Sequence, residues 1–130
     1  MATLLIVDDE ENIRFILQSI LEDQGYKVLV TEQAEQAMHL LNHHQIDVVF
    51  CDINLPRTNG MELLSMIREK SADIQVIMMT GMPSLETATT ALRDGAFDYL
   101  CKPMKQDAVL HCVRNAVKAK LLADERTWLL

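Results

Sequence analysis

Short, nearly continuous apolar runs alternate along the chain with longer stretches in which apolar residues return every three or four positions. The runs at 3–8 (TLLIVD), 27–31 (KVLVT), 46–52 (IDVVFCD), 74–80 (IQVIMMT) and 97–102 (FDYLCK) predict five strands. Between the first two, Ile13, Ile16, Leu17, Ile20 and Leu21 fall at i, i+3, i+4, i+7 and i+8, the inward face of a helix that Gly25 closes. The same spacing recurs with Ala34, Ala37, Met38 and Leu41, and again with Leu63, Leu64 and Ile67. A fourth helix is predicted with Leu85, Ala88 and Leu92 inward before Gly95, and a fifth with Val109, Cys112, Val113, Ala116 and Val117, running on toward Leu121.

Strands that are apolar at nearly every position are covered on both faces, the habit of a parallel sheet. With right-handed crossovers the expectation is a doubly wound α/β fold. Punctuation agrees: Gly25, Gly60, Gly81 and Gly95 sit at predicted element ends, and Pro56, Pro83 and Pro103 fall just beyond strands.

Composition narrows the class. At 130 residues, 49% hydrophobic and 24% charged, the chain is expected to form one self-sufficient globular domain. A formal net charge of -7 disfavours direct contact with nucleic acid or an anionic membrane surface, so any action on DNA must pass through another module. No apolar run approaches a membrane span, and MATLLIVDDE has no charged region ahead of its short apolar segment, so a cytoplasmic location is expected. Cys51, Cys101 and Cys112 form no CxxC pair and read as small hydrophobes in a reducing compartment.

In an open α/β sheet, ligands bind beyond the carboxyl ends of the strands. The first strand ends in Asp8 and Asp9, the third in Asp52, the fourth in Thr80 and the fifth in Lys102. Taken singly, Asp8 or Asp9 serves equally well as a helix cap, Asp52 as a turn former and Lys102 as a solvated charge. Their convergence on one rim favours chemistry. Three carboxylates repel unless a cation joins them, and an oxygen-only set suits Mg²⁺ first, Mn²⁺ or Ca²⁺ next. Mg²⁺ keeps positions open for phosphoryl oxygens, Lys102 supplies an opposing charge and Thr80 a hydroxyl. The rim therefore reads as a site for phosphoryl transfer onto a carboxylate, with Asp52 as nucleophile.

The motifs VDDE (7–10), DINLPRTNG (52–60), MTG (79–81), GAFDYL (95–100) and KP (102–103) resemble, over residues 3 to about 118, the CheY-like receiver domain of two-component response regulators. The resemblance implies a five-stranded parallel sheet in the order 2-1-3-4-5 and a phosphorylation-dependent signalling switch. It further implies autophosphorylation and autodephosphorylation chemistry without turnover of outside substrates. Asp52 would accept a phosphoryl group from a sensor histidine kinase or phosphotransfer protein. Mg²⁺ would be held by Asp9 and Asp52, by the backbone carbonyl of Asn54 and, through water, by Asp8. Lys102 would pair with the phosphoryl group, the bond to Pro103 would be cis, and Thr80 with Tyr99 would form the switch pair. The output face would be the fourth helix, fifth strand and fifth helix. Gly81, where many members carry alanine, leaves room for water beside the acceptor that Met82 only partly refills, so moderately fast dephosphorylation is expected. Met104 also departs from the bulkier residue common after this lysine-proline pair.

Beyond Val117, KAKLLADERTWLL has no glycine or proline and repeats apolar residues at Leu121, Leu122, Trp128 and Leu129. Residues 119–130 are expected to be a helical extension leading toward an output domain, with a homodimer forming through it or through the output face. PSLETATTALRD before GAFDYL resembles receivers attached to AAA+ transcriptional activators, and receivers of hybrid kinases or phosphodiesterases look similar. Two other classes share the rim. A haloacid-dehalogenase-type phosphatase needs a second aspartate where Asn54 stands, and a flavodoxin-like cofactor module needs a phosphate loop where Asp8, Asp9, Glu10 and Glu11 stand. A receiver acting by constitutive protein contact is a further reading, although every acceptor residue is present.

Overall fold

The computed structural model describes the backbone through Leu129 and side chains through Arg126. Its elements alternate as expected: β1 (Thr3–Val7), α1 (Glu11–Asp23), β2 (Lys27–Thr31), α2 (Ala34–His43), β3 (Val48–Asp52), α3 (Gly60–Lys70), β4 (Gln75–Thr80), α4 (Leu85–Arg93), β5 (Asp98–Cys101) and α5 (Gln106–Leu129). The five strands form one parallel sheet in the order β2-β1-β3-β4-β5, so the chain reverses direction of travel across the sheet at β1.

Successive strand residues point to opposite faces, and each face buries its own set. Leu4, Ile6, Val48, Phe50, Ile77 and Met79 pack with Leu17 and Leu21 of α1 and with Val109, Cys112, Val113 and Ala116 of α5. Leu5, Val7, Val49, Cys51, Val76 and Met78 pack with Ala34, Ala37 and Leu41 of α2, with Leu63, Leu64 and Ile67 of α3, and with Ala91 of α4. All five residues of β3 are buried, so its carboxylate emerges at the end of the most enclosed strand.

Two helix faces differ from the periodicity. In α1, Leu17 and Leu21 are buried, but Ile16 is 52% exposed beside an exposed Phe15. In α4 the expected inward leucines face out, Leu85 at 85% and Leu92 at 51% exposure, while Ala91 is fully buried. This helix lies against β5 at the sheet edge. Ala91 lets the backbones approach closely there, so packing distance, not side-chain size, selected the buried face. Cys51 and Cys112 are buried as expected, whereas Cys101, at the end of β5, is exposed.

α5 runs unbroken past residue 118. Its next turn still packs on the domain: Lys120 pairs with Asp124 at 2.6 Å and with Asp47 at 3.5 Å, and Ala123 is buried. Leu121 and Leu122 are exposed, and the side chains of Trp128 and Leu129 lie outside the described residues. Among the described residues no helix is long and apolar enough to cross a membrane.

Gly60 opens α3 against the end of β3. A Cβ there would stand 2.1 Å from the carbonyl oxygen of Asp52 and 2.7 Å from Cα of Ile53, both backbone atoms with no freedom to yield. Gly60→Ala is therefore expected to lower stability by about 3 kcal/mol, the upper part of the usual overpacking range, measured as a lower urea midpoint.

Candidate functional site

The parallel register sets the site. β1 pairs with β3 so that Val7 lies beside Cys51, which places Asp8 and Asp52, one residue further on, together at the rim. β4 pairs with both β3 and β5, and the backbone N–H of Lys102 donates to the carbonyl of Thr80 at 2.7 Å, prolonging the ladder by one residue. Lys102 thereby faces the acids, and its peptide bond to Pro103 is cis.

The ammonium of Lys102 stands 2.8 Å from Asp8 Oδ2, 3.0 Å from Glu10 Oε1 and 3.3 Å from Asp52 Oδ2. Asp8 is fully buried, Asp52 nearly so, and Glu10 is exposed. Asp8 Oδ1 accepts from the backbone N–H of Glu10, and Asp52 Oδ1 accepts from that of Asn54 at 3.0 Å. Arg14 of α1 donates to the carbonyl of Asp8 at 2.8 Å, tying the helix to the strand end. The following loop is fixed from both sides: Ile53 N–H donates to Met79, and Gly60 N–H donates to Ile53.

Burial, reinforced by the charge of Asp52, pushes the Asp8 carboxyl above its usual range, although Lys102 and the Glu10 N–H pull the other way. Burial alone would lower Lys102. Its close contacts with Asp8 and Glu10 and the charges of Asp8 and Asp52 outweigh that and raise it, so it is a fixed positive charge at neutral pH. Burial, with Asp52 and Asp8 nearby, raises the Cys51 thiol strongly and keeps it neutral.

The donor set fits a hard divalent cation. One oxygen each from Asp8, Glu10 and Asp52 lies within 4.8 Å of the others. Asp8 Oδ2 is buried without an aligned hydrogen-bond donor, so its contact with Lys102 is an ion pair that leaves lone-pair capacity. A neutral Cys51 thiol offers no competing soft ligand.

Not every expected residue converges. Asp9 is exposed and outside the carboxylate trio, whose third member is Glu10. Glu10 occupies the N-cap position of α1 yet makes no capping hydrogen bond with its side chain. The sequence signal for it was weak, because an acid next to a helix start usually reads as a helix-end charge. Thr80 is buried at the end of β4, and its hydroxyl accepts from Met82 N–H. Tyr99 is half-buried against the α2/α3 face, and its hydroxyl accepts from Ser84 N–H at 3.3 Å. Ser84 in turn caps α4 by accepting from Thr87 N–H.

An acidic pocket with an invading lysine, at the carboxyl ends of a 2-1-3-4-5 sheet, defines a phosphoryl-accepting switch module. The model of the response regulator receiver domain matches residues 4–114, and the chain belongs to that family, the phosphorylation-dependent switch of two-component signalling. It is 36% identical over 94% of its length to the regulatory protein AtoC of Escherichia coli (strain K12), covering 26% of that protein. It is 37% identical over 95% of its length to the C4-dicarboxylate transport transcriptional regulatory protein DctD of Pseudomonas aeruginosa, covering 27%. The chain thus spans about a quarter of these curated relatives. Among solved structures, NtrX from Brucella abortus in complex with ADP superposes with a TM-score of 0.93 at 34% identity, over the whole chain and 30% of NtrX. A receiver domain protein from Clostridium thermocellum superposes at 0.89 and 31% identity, over 95% of this chain and 99% of that one.

Because the folded state raises the Asp8 pKa from 3.8, folding favours the protonated carboxyl relative to the unfolded chain, and stability from this group falls as pH rises above 3.8. Asp8→Asn is expected to raise the thermal midpoint at neutral pH, with a gain that shrinks as pH falls toward 3.8 in parallel melts.

Proposed function

We propose that this receiver takes a phosphoryl group on Asp52 from a sensor histidine kinase or phosphotransfer protein and relays the change to an output module in a longer chain. The observation that carries the reading is Lys102 held 3.3 Å from Asp52 within an acidic, oxygen-only pocket at the carboxyl edge of the sheet. Asp52 Oδ2 is the nucleophile. It forms an O–P bond to the donor phosphorus as the phosphorus–nitrogen bond of phosphohistidine, or the phosphorus–oxygen bond of a small acyl phosphate, breaks with its electron pair leaving on the donor. Lys102 neutralises the phosphoryl oxygens.

Asp8 and Asp52, joined by Asp9 turning in from solvent and by the carbonyl of Asn54, would hold Mg²⁺, or Mn²⁺ in its place. Bound there, the ion would supply positive charge to offset that of the phosphoryl group. Thr80 and Tyr99 form the switch. A dianion on Asp52 competes for the Thr80 hydroxyl now bonded to Met82, and a half-buried Tyr99 with one 3.3 Å contact to Ser84 is free to follow. Asn54, standing where a haloacid-dehalogenase-type phosphatase has its general acid, argues against turnover on outside substrates.

The α4, β5 and α5 surface is the face read by partners, with Leu85 and Leu92 exposed on it. Residues 3–118 would be the receiver proper and 119–130 an extension toward an output domain, a reading favoured by a helix that runs on to Leu129, although its turn at Lys120 and Ala123 still packs on the domain. A homodimer would form through that surface or through the extension. Similarity to AtoC, DctD and NtrX, which the chain covers in part, favours a transcriptional regulator as the parent and a cytoplasmic setting.

Intact mass after acetyl phosphate and Mg²⁺ is expected to show one phosphoryl adduct on the wild type and none on Asp52→Asn; an adduct retained in the variant would overturn the assignment. At Gly81 a Cβ would meet nothing within 4 Å. The open space beside Thr80 admits water, so the phosphoryl lifetime is expected to be short of many hours, and Gly81→Ala is expected to lengthen it about two- to fivefold in a mass-spectrometric decay series.

A further inference from the structure

We infer that Glu10 is a positioning residue, an exposed clasp that holds Lys102 in the resting state and must let go before the lysine can serve a phosphoryl group; this rests on the reading of Asp52 as acceptor. A lysine ammonium has three donors, and here it faces three carboxylates: Asp8 at 2.8 Å, Glu10 at 3.0 Å and Asp52 at 3.3 Å. Of the three contacts, the one with Glu10 has hydrogen-bond geometry, so a lysine that turns to the phosphoryl oxygens standing beyond the Asp52 carboxylate is held back chiefly by a neighbour on its other side.

The three are not equally releasable. Asp52 bears the new group itself. Asp8 is fully buried, and its other oxygen is fixed by the Glu10 N–H at 2.9 Å, so withdrawing it would strand a charge in the protein interior. Glu10 differs from both. Its side chain is 59% exposed, and a carboxylate there moves into water at little cost.

The side chain is also free of the duty its position suggests. Glu10 stands at the N-cap of α1 without capping it, and among the described residues its carboxylate takes its side-chain hydrogen bond from Lys102. Ninety-two positions separate the two residues in the chain. The contact stabilises the unphosphorylated arrangement and has no counterpart once Lys102 has turned to the phosphoryl oxygens, so Glu10 acts on the resting side of the switch.

The test compares wild type, Glu10→Gln and Glu10→Asp at subsaturating acetyl phosphate. Initial rates of adduct formation are read by intact mass at an Mg²⁺ concentration shown by calorimetry to saturate each protein. Glutamine removes the charge; aspartate keeps it but falls one methylene short of the 3.0 Å contact. A clasp predicts that both variants are phosphorylated faster, by about two- to fivefold, the range of an exposed ion pair. Aspartate behaving like wild type while glutamine is faster would make Glu10 a source of field only and overturn the clasp. Slower adduct formation in both, with a collapse of Mg²⁺ affinity, would make it a metal ligand and overturn the clasp as well. Unchanged rates with the Asp52 adduct intact would overturn the clasp alone, whereas an adduct that persists in Asp52→Asn would overturn the acceptor assignment and the clasp together.

Discussion

A parallel sheet buried on both faces can carry charge only at its ends, and at the carboxyl end of this one the charges are gathered around the ammonium of Lys102. Carboxylates packed this closely repel each other, and partial burial strengthens the repulsion by removing water. Lys102 offsets part of it. The excess of negative charge is what makes the pocket receptive to a divalent cation, and the shared lysine is what makes it receptive to a phosphoryl group. Both follow from strand register, since slipping β3 by one residue against β1 would turn Asp52 to the opposite face.

The connection from this pocket to the surface is short and weakly held. Thr80 ends β4 with its hydroxyl on Met82, Tyr99 on β5 holds Ser84 through a single hydrogen bond, and Ser84 caps α4. Thr80 and the first turn of α4 are therefore only a few hydrogen-bonded residues apart. That helix is anchored on the sheet by Ala91 and presents Leu85 and Leu92 outward. A small inner face and a large outer one suit an element that shifts while keeping its own contacts. By contrast α3, with Leu63, Leu64 and Ile67 buried and Gly60 pressed onto Asp52, is a fixed wall of the same site. The pocket thus sits between α3, packed through three large side chains, and α4, packed through a single buried alanine.

Most of the fold was legible because hydrophobic period and glycine or proline punctuation agreed at every element, and strand ends named Asp8, Asp52, Thr80 and Lys102 directly. Legibility failed where two residues compete for one role. In α4 the leucine stripe and the alanine beside it are both helical faces, and only the closeness of β5 decides that the smaller face goes in. Among the acids after β1, spacing cannot say which carboxylate turns toward the rim. The backbone leaves Asp9 in solvent and brings Glu10 to the lysine.

The sequence by itself determined the class of fold, the strand that ends in Asp52 and the chemical types at the rim, because these depend on local pattern: apolar period, strand-terminal polar residues and short turns. Tertiary structure alone decided which partners those groups have. Lys102 and Glu10 are 92 residues apart, and Lys120 and Asp47 meet only because α5 crosses the base of the sheet. Such contacts depend on register and packing distance summed over the whole domain, which no local pattern encodes.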